Sequence, residues 1–127
     1  MGRILIVDDE EMDRVLLAQV LQDAGHEPLF APDGKTALRI WRNGSFDAVV
    51  TDIVMPEMDG LSLLETIRME DPWIPVIAIS GTSAERLNKA ARSGAQAILT
   101  KPVDPSELLT EIDQALDSRP QWGVPEF

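Results

Sequence analysis

The sequence predicts an α/β fold: a single doubly wound, five-stranded parallel sheet in the order 2-1-3-4-5, with helices on both faces. Short apolar runs such as Ile4-Leu5-Ile6-Val7, Ala48-Val49-Val50-Thr51 and Ala97-Ile98-Leu99-Thr100 have the length and composition of buried parallel strands. They alternate with segments of helical period, which gives five βα units in 127 residues. Parallel strands joined by right-handed crossovers close such units into a small open sheet. A closed eight-unit barrel would need about twice the length.

The first strand begins at Arg3 or Ile4. The helix after it is expected to carry two neighbouring i, i+4 apolar rows, Met12, Leu16 and Val20 beside Leu17, Leu21 and Ala24, and to stop at Gly25. Pro28 to Ala31 is a weaker second strand, and Ala37, Leu38 and Trp41 mark a second helix ending near Asn43-Gly44. Ala48 to Thr51 is the third strand; Leu61, Leu64 and Ile67 mark a third helix closed by Asp71-Pro72. Pro75 to Ser80 forms the fourth strand and Ala84 to Arg92 a fourth helix capped by Gly94, with Leu87, Ala90 and Ala91 as its inward positions. Ala97 to Thr100 follows as the fifth strand, and Leu108, Ile112, Ala115 and Leu116 stripe the last helix. The domain is expected over residues 3 to 117. In residues 118 to 127, Arg119-Pro120, Trp122-Gly123 and Val124-Pro125 break any helix and suggest a tail or linker stub.

A hydrophobic content of 44% suits a soluble domain large enough to bury a core. The absence of cysteine excludes disulfides and thiolate metal sites, and a strand beginning so early leaves no room for a signal peptide, so a cytoplasmic location is expected. No apolar stretch approaches the roughly 18 residues of a membrane span. With 22 acidic and 11 basic side chains the net charge is −11, which repels nucleic acid and anionic membranes.

Three of the strand runs end in chemistry: Asp8-Asp9 after the first, Asp52 after the third, Lys101-Pro102 after the fifth. Ligands in open α/β sheets sit outside the carboxyl ends of the strands, so three carboxylates and an ammonium are expected to converge. Like charges at such range repel unless a cation lies among them, which points to a metal-assisted site.

Together with Ser80 after the fourth strand, and with Asp52 inside Thr-Asp-Ile-Val-Met-Pro-Glu-Met-Asp-Gly, this pattern resembles the receiver domain of bacterial two-component response regulators, a flavodoxin-like fold. The resemblance covers roughly residues 3 to 117. It implies that Asp52 is phosphorylated by a histidine kinase or histidine phosphotransferase, that Asp9, Asp52 and the backbone carbonyl of Val54 bind Mg2+, and that Asp8 acts through a metal-bound water. It further implies that Lys101 contacts a phosphoryl oxygen, that Ser80 moves to hydrogen-bond the phosphoryl group, and that the Lys101-Pro102 bond is cis. Such a chain is not an enzyme in the usual sense but a phosphoacceptor regulator that catalyses its own phosphorylation and slow dephosphorylation. Its partners would be the phosphodonor and a downstream effector protein or domain, with no nucleic acid bound through this domain and no membrane.

The chemistry supports that set independently of the resemblance. An ionised, in-line carboxylate is a nucleophile toward phosphorus, and a divalent metal, a lysine and a hydroxyl meet the charge that gathers on the phosphoryl oxygens. Magnesium takes hard oxygen ligands, few of them carboxylates. Each residue also has a plainer reading: Asp8 or Asp9 as a helix cap, Asp52 as a turn residue, Lys101 as a solvated lysine, Ser80 as a loop opener or cap. A haloacid-dehalogenase-type phosphatase would want an acid where Val54 stands, and the phosphate loop of a flavin carrier is missing. A degenerate receiver acting only as a docking module remains the alternative. His26 reads as a loop residue, Trp41 as packing, while Trp73 and Trp122 fall in loop or tail.

The sequence departs from the family at its switch. Many receivers carry Tyr or Phe three residues before the strand-five lysine, and here that position is Ile98. A ring-like swing is therefore not available, and Ser80 is expected to couple through the loop and helix that follow it, with Ile98 adjusting its packing.

Overall fold

The structure, a computed structural model, describes residues 2–55, 60–81 and 84–118. Its order is β1(Arg3–Val7), α1(Glu11–Asp23), β2(Glu27–Ala31), α2(Gly34–Asn43), β3(Ala48–Asp52), α3(Gly60–Glu70), β4(Val76–Ser80), α4(Ala84–Arg92), β5(Ala97–Thr100) and α5(Pro105–Ser118). The strands form one sheet ordered β2-β1-β3-β4-β5, and every neighbouring pair is parallel. The expected fold class and all ten elements are found. Residues 119–127 with Trp122, the Pro56 turn, Thr82-Ser83 and the Leu87 side chain lie outside what is described.

Alternation along each strand divides the core between two faces. Ile4, Ile6, Val50, Ile77 and Ile79 pack with Leu17 and Leu21 of α1 and Leu108 and Ile112 of α5. Leu5, Val7, Val49, Val76 and Ala78 pack on the other face with Ala37 of α2, Leu63, Leu64 and Ile67 of α3, and Ala90 of α4. Each fully buried Leu or Ile contributes roughly 1.5–3 kcal/mol of burial, and a one-residue slip of any strand would exchange the two faces. The isoleucines and valines thus fix the register that aligns the strand ends.

Helix ends follow local chemistry. Asp33 caps α2 by accepting a hydrogen bond from the Thr36 N–H at 2.8 Å, a contact worth about 1 kcal/mol. After α1, Gly25 turns the chain at φ +89°, a region L side chains seldom enter. Arg68 was not singled out in the sequence; its guanidinium donates to the carbonyls of Ile74 at 2.7 Å and Gly94 at 2.9 Å, tying α3 to the starts of β4 and β5.

The main correction falls on α1. Of the two apolar rows expected, Met12, Leu16 and Val20 lie largely outside, with Met12 74% and Leu16 60% exposed and Val20 partly covered, and Ala24 at the end of the other row is exposed. The inward face is Leu17, Ala18 and Leu21. An i, i+4 row beside the buried one has the same spacing, so periodicity does not tell a core stripe from an apolar surface stripe. Ala91, expected inward on α4, is also exposed, and Ala90 is buried. His26 lies in the loop between α1 and β2, as expected; it is buried there, and its Nδ1 accepts from the Gly2 N–H at 3.0 Å.

Gly60 opens α3 hard against the end of β3. A Cβ there would lie 2.0 Å from the Asp52 carbonyl oxygen and 2.6 Å from the Ile53 Cα, both backbone atoms that no rotamer change relieves. Gly60→Ala is expected to destabilise the fold by about 2–3 kcal/mol through overpacking, read as a lower urea midpoint. An unchanged midpoint would contradict this packing.

Candidate functional site

From β1 the chain passes first to β2 on one side and later to β3 on the other, so a crevice opens above the carboxyl ends of β1 and β3. The register pairs Val7 with Thr51, which sets Asp8 and Asp52 one residue further along adjacent strands. Ser80 pairs with Thr100 across β4 and β5, so Ser80 and Lys101 reach the same edge.

One carboxylate oxygen from each of Asp8, Asp9 and Asp52 lies within 4.8 Å of the other two. Asp8 is fully buried, Asp52 nearly so, and Asp9 is exposed. Lys101 Nζ donates to Asp52 Oδ2 at 3.0 Å and to Asp13 Oδ2 at 2.8 Å, and lies 2.9 Å from Asp8 Oδ2. The Lys101–Pro102 peptide is cis, as expected. Ser80 is buried at the end of β4, and the Val54 N–H donates to Asp52 Oδ1 at 3.2 Å. Ile98 is partly buried against the α2/α3/α4 face of the core.

The plainer readings fare unevenly. The N-cap of α1 is Glu10, with no side-chain cap, so neither Asp8 nor Asp9 takes that role. Asp8 Oδ1 instead accepts from the Glu10 N–H at 2.9 Å. Lys101 is no solvated surface lysine, with 20% of its side chain exposed. Asp52 does hold the turn to Val54, and its other oxygen meets the ammonium.

Burial disfavours the charged form of Lys101, but hydrogen bonds to Asp13 and Asp52 and the ion pair with Asp8 outweigh it and hold its pKa well above the usual lysine range. For Asp8, burial pushes the carboxyl pKa up, and the Glu10 N–H and Lys101 recover only part of that shift. Asp8 Oδ2 is buried and accepts no hydrogen bond even though it faces the ammonium. A buried carboxylate oxygen with an ion pair but no hydrogen bond, beside two further carboxylates, fits a hard divalent cation, and Asp8, Asp9 and Asp52 are the side chains able to hold one.

Asp13 was missed by sequence reasoning. An acid in the first turn of a helix is fully accounted for by the helix dipole, so its contact with a lysine 88 residues away left no local signal.

The family model of the response regulator receiver domain matches residues 4–113, and the chain belongs to that family. It is 40% identical over 114 residues to a 14.6 kDa protein in the sodA1 3' region of Leptolyngbya boryana, 87% of either chain being covered. It is 40% identical over 104 residues to the response regulator receiver protein Anae109_2439 of Anaeromyxobacter sp. (strain Fw109-5), covering 81% of this chain and 44% of that one. Among solved structures, Vibrio cholerae chemotaxis protein CheY4 matches with a TM-score of 0.83 at 32% identity, over 91% of this chain and 98% of that one. NtrX from Brucella abortus matches with a TM-score of 0.87 at 36% identity, over 92% of this chain but 28% of that one.

The raised pKa of Asp8 fixes the sign of a pH effect. Its contribution to stability is present below the range where an unfolded aspartate titrates and is lost as pH rises through the higher folded-state value, so the ionised form opposes folding. With a chelator present, Asp8→Asn is expected to melt a few degrees above the parent at pH 7, the gap closing as pH falls toward about 4. A lower melting temperature for the variant at pH 7 would contradict this electrostatic account.

Proposed function

We propose that Asp52 accepts a phosphoryl group from a histidine kinase or histidine phosphotransferase, with Mg2+ as cofactor, and that the modified domain changes its affinity for a downstream effector protein or domain. The observation that carries this reading is the 3.0 Å contact between the Lys101 ammonium and Asp52 Oδ2 within a group of acids. A nucleophilic carboxylate lies beside a cation able to follow the charge that will arrive on it.

In the transfer, a carboxylate oxygen of Asp52 forms a bond to phosphorus while the P–N bond of the phosphohistidine breaks. The imidazole leaves with the electron pair and takes up a proton. Lys101 meets the charge on one phosphoryl oxygen, and Ser80 donates its hydroxyl to another. Asp8, Asp9, Asp52 and the Val54 carbonyl would hold Mg2+, which when bound neutralises charge on the phosphoryl oxygens. Slow hydrolysis of the acyl phosphate returns the domain to its resting state.

Met12, Val15 and Leu16 form an exposed apolar stripe on α1 beside a groove lined by Leu17, Val103, Pro105 and Leu108, which also reaches Lys101. A surface of that character next to the nucleophile suits the phosphohistidine-bearing partner. The net charge of −11 opposes nucleic-acid and membrane contacts, in keeping with a cytoplasmic signalling unit over residues 3 to 117. Output is assigned to Ser80 and the loop and helix after it, with Ile98 repacking in place. A purely docking role is less well supported, since a degenerate receiver has no need of three grouped carboxylates with a lysine among them.

Acetyl phosphate with MgCl2 is expected to add one phosphoryl group to the parent chain, none to Asp52→Asn, and none to the parent in excess chelator, by intact-protein mass spectrometry under mild conditions. Equal labelling of the variant, or labelling indifferent to the chelator, would overturn the assignment.

A further inference from the structure

We propose that Asp13 is a positioning residue for Lys101, holding its ammonium on the α1 side of the site in competition with an incoming phosphoryl group. The proposal rests on the reading of Asp52 as the phosphoacceptor and concerns how readily that site is occupied.

At 2.8 Å, against 2.9 Å to Asp8 and 3.0 Å to Asp52, the Asp13 contact is the shortest that Lys101 makes to a carboxylate. The other two acids have further tasks: Asp8 Oδ1 holds the Glu10 N–H and Asp52 Oδ1 holds the Val54 N–H. Among the described residues, Lys101 is the one side-chain partner of Asp13. Asp13 also stands outside the grouped ligand atoms of Asp8, Asp9 and Asp52 and belongs to a helix rather than a strand end. Its side chain is 33% exposed and meets the ammonium at the edge of the site.

Two effects follow, and they have opposite signs. Phosphorylation replaces the single negative charge of Asp52 with a dianionic group, which must draw on Lys101. A fixed anion on α1 both retains the ammonium and repels the arriving dianion. The same extra negative charge attracts a divalent cation bound by the neighbouring acids. Asp13 therefore favours the metal and opposes the phosphoryl group. Damage to the fold would weaken both.

The test is calorimetric titration of the full chain, the parent beside Asp13→Asn and Asp13→Ala, first with MgCl2 and then with beryllofluoride at saturating MgCl2. Both variants are expected to bind Mg2+ about threefold or more weakly and beryllofluoride more tightly by a similar factor, as removal of one partly screened charge requires. The 1H–15N signal of the Lys101 ammonium, recorded without metal, is expected to shift in both variants. Beryllofluoride binding that is unchanged, or that weakens along with Mg2+ binding, would overturn the role of Asp13 while leaving Asp52 as acceptor. A parent chain that binds no beryllofluoride would overturn the reading of Asp52, and this proposal with it.

Discussion

The Lys101 ammonium touches Asp8, Asp13 and Asp52 at once, and the carboxyl edge of the sheet is arranged around that contact. Without a cation, carboxylates from the ends of β1 and β3 and from α1 would repel one another at such range. Lys101 supplies the cation from the end of β5, two strands away from β3. Its reach depends on the register of β3, β4 and β5, which the alternating isoleucines and valines enforce. Core packing and site electrostatics are thus one problem: the core sets the strand ends, and the strand ends set which charges meet.

The balance is incomplete by design of the sheet edge. Asp8 remains buried with one oxygen lacking a hydrogen bond, and its pKa stays raised despite the lysine. Stability stored in the two apolar faces tolerates this strain at the edge, as is common where a site must bind charge that arrives later. Lys101 offsets the acids at rest and, in the function proposed, is the group redirected when a phosphoryl group appears. Asp13, on α1, sets how firmly the lysine is held in the meantime.

Much of this was legible in the sequence, for physical reasons. Parallel strands buried on both faces read as continuous apolar runs, so β1, β3, β4 and β5 stood out, and residues at their ends had to share an edge. That places Asp8, Asp9, Asp52, Ser80 and Lys101 at one edge from sequence alone. What stayed hidden was set by tertiary context. Met12 and Leu16 have the spacing of core residues, and it is packing against the sheet and α5 that takes Leu17 and Leu21 inward and leaves the other row outside. The contacts of Asp13 with Lys101, of Arg68 with Gly94 and of His26 with Gly2 left no local signal, since these partners lie 88, 26 and 24 residues away.

The claim that Lys101 is a mobile counter-ion for Asp52 is tested most directly by a crystal structure of the chain grown with MgCl2 and beryllofluoride. The account predicts beryllium bonded to an Asp52 carboxylate oxygen, with Lys101 Nζ and Ser80 Oγ each within hydrogen-bond distance of a fluorine. An adduct on another residue, or a Lys101 that still pairs with Asp52 and leaves the fluorines to solvent, would contradict it.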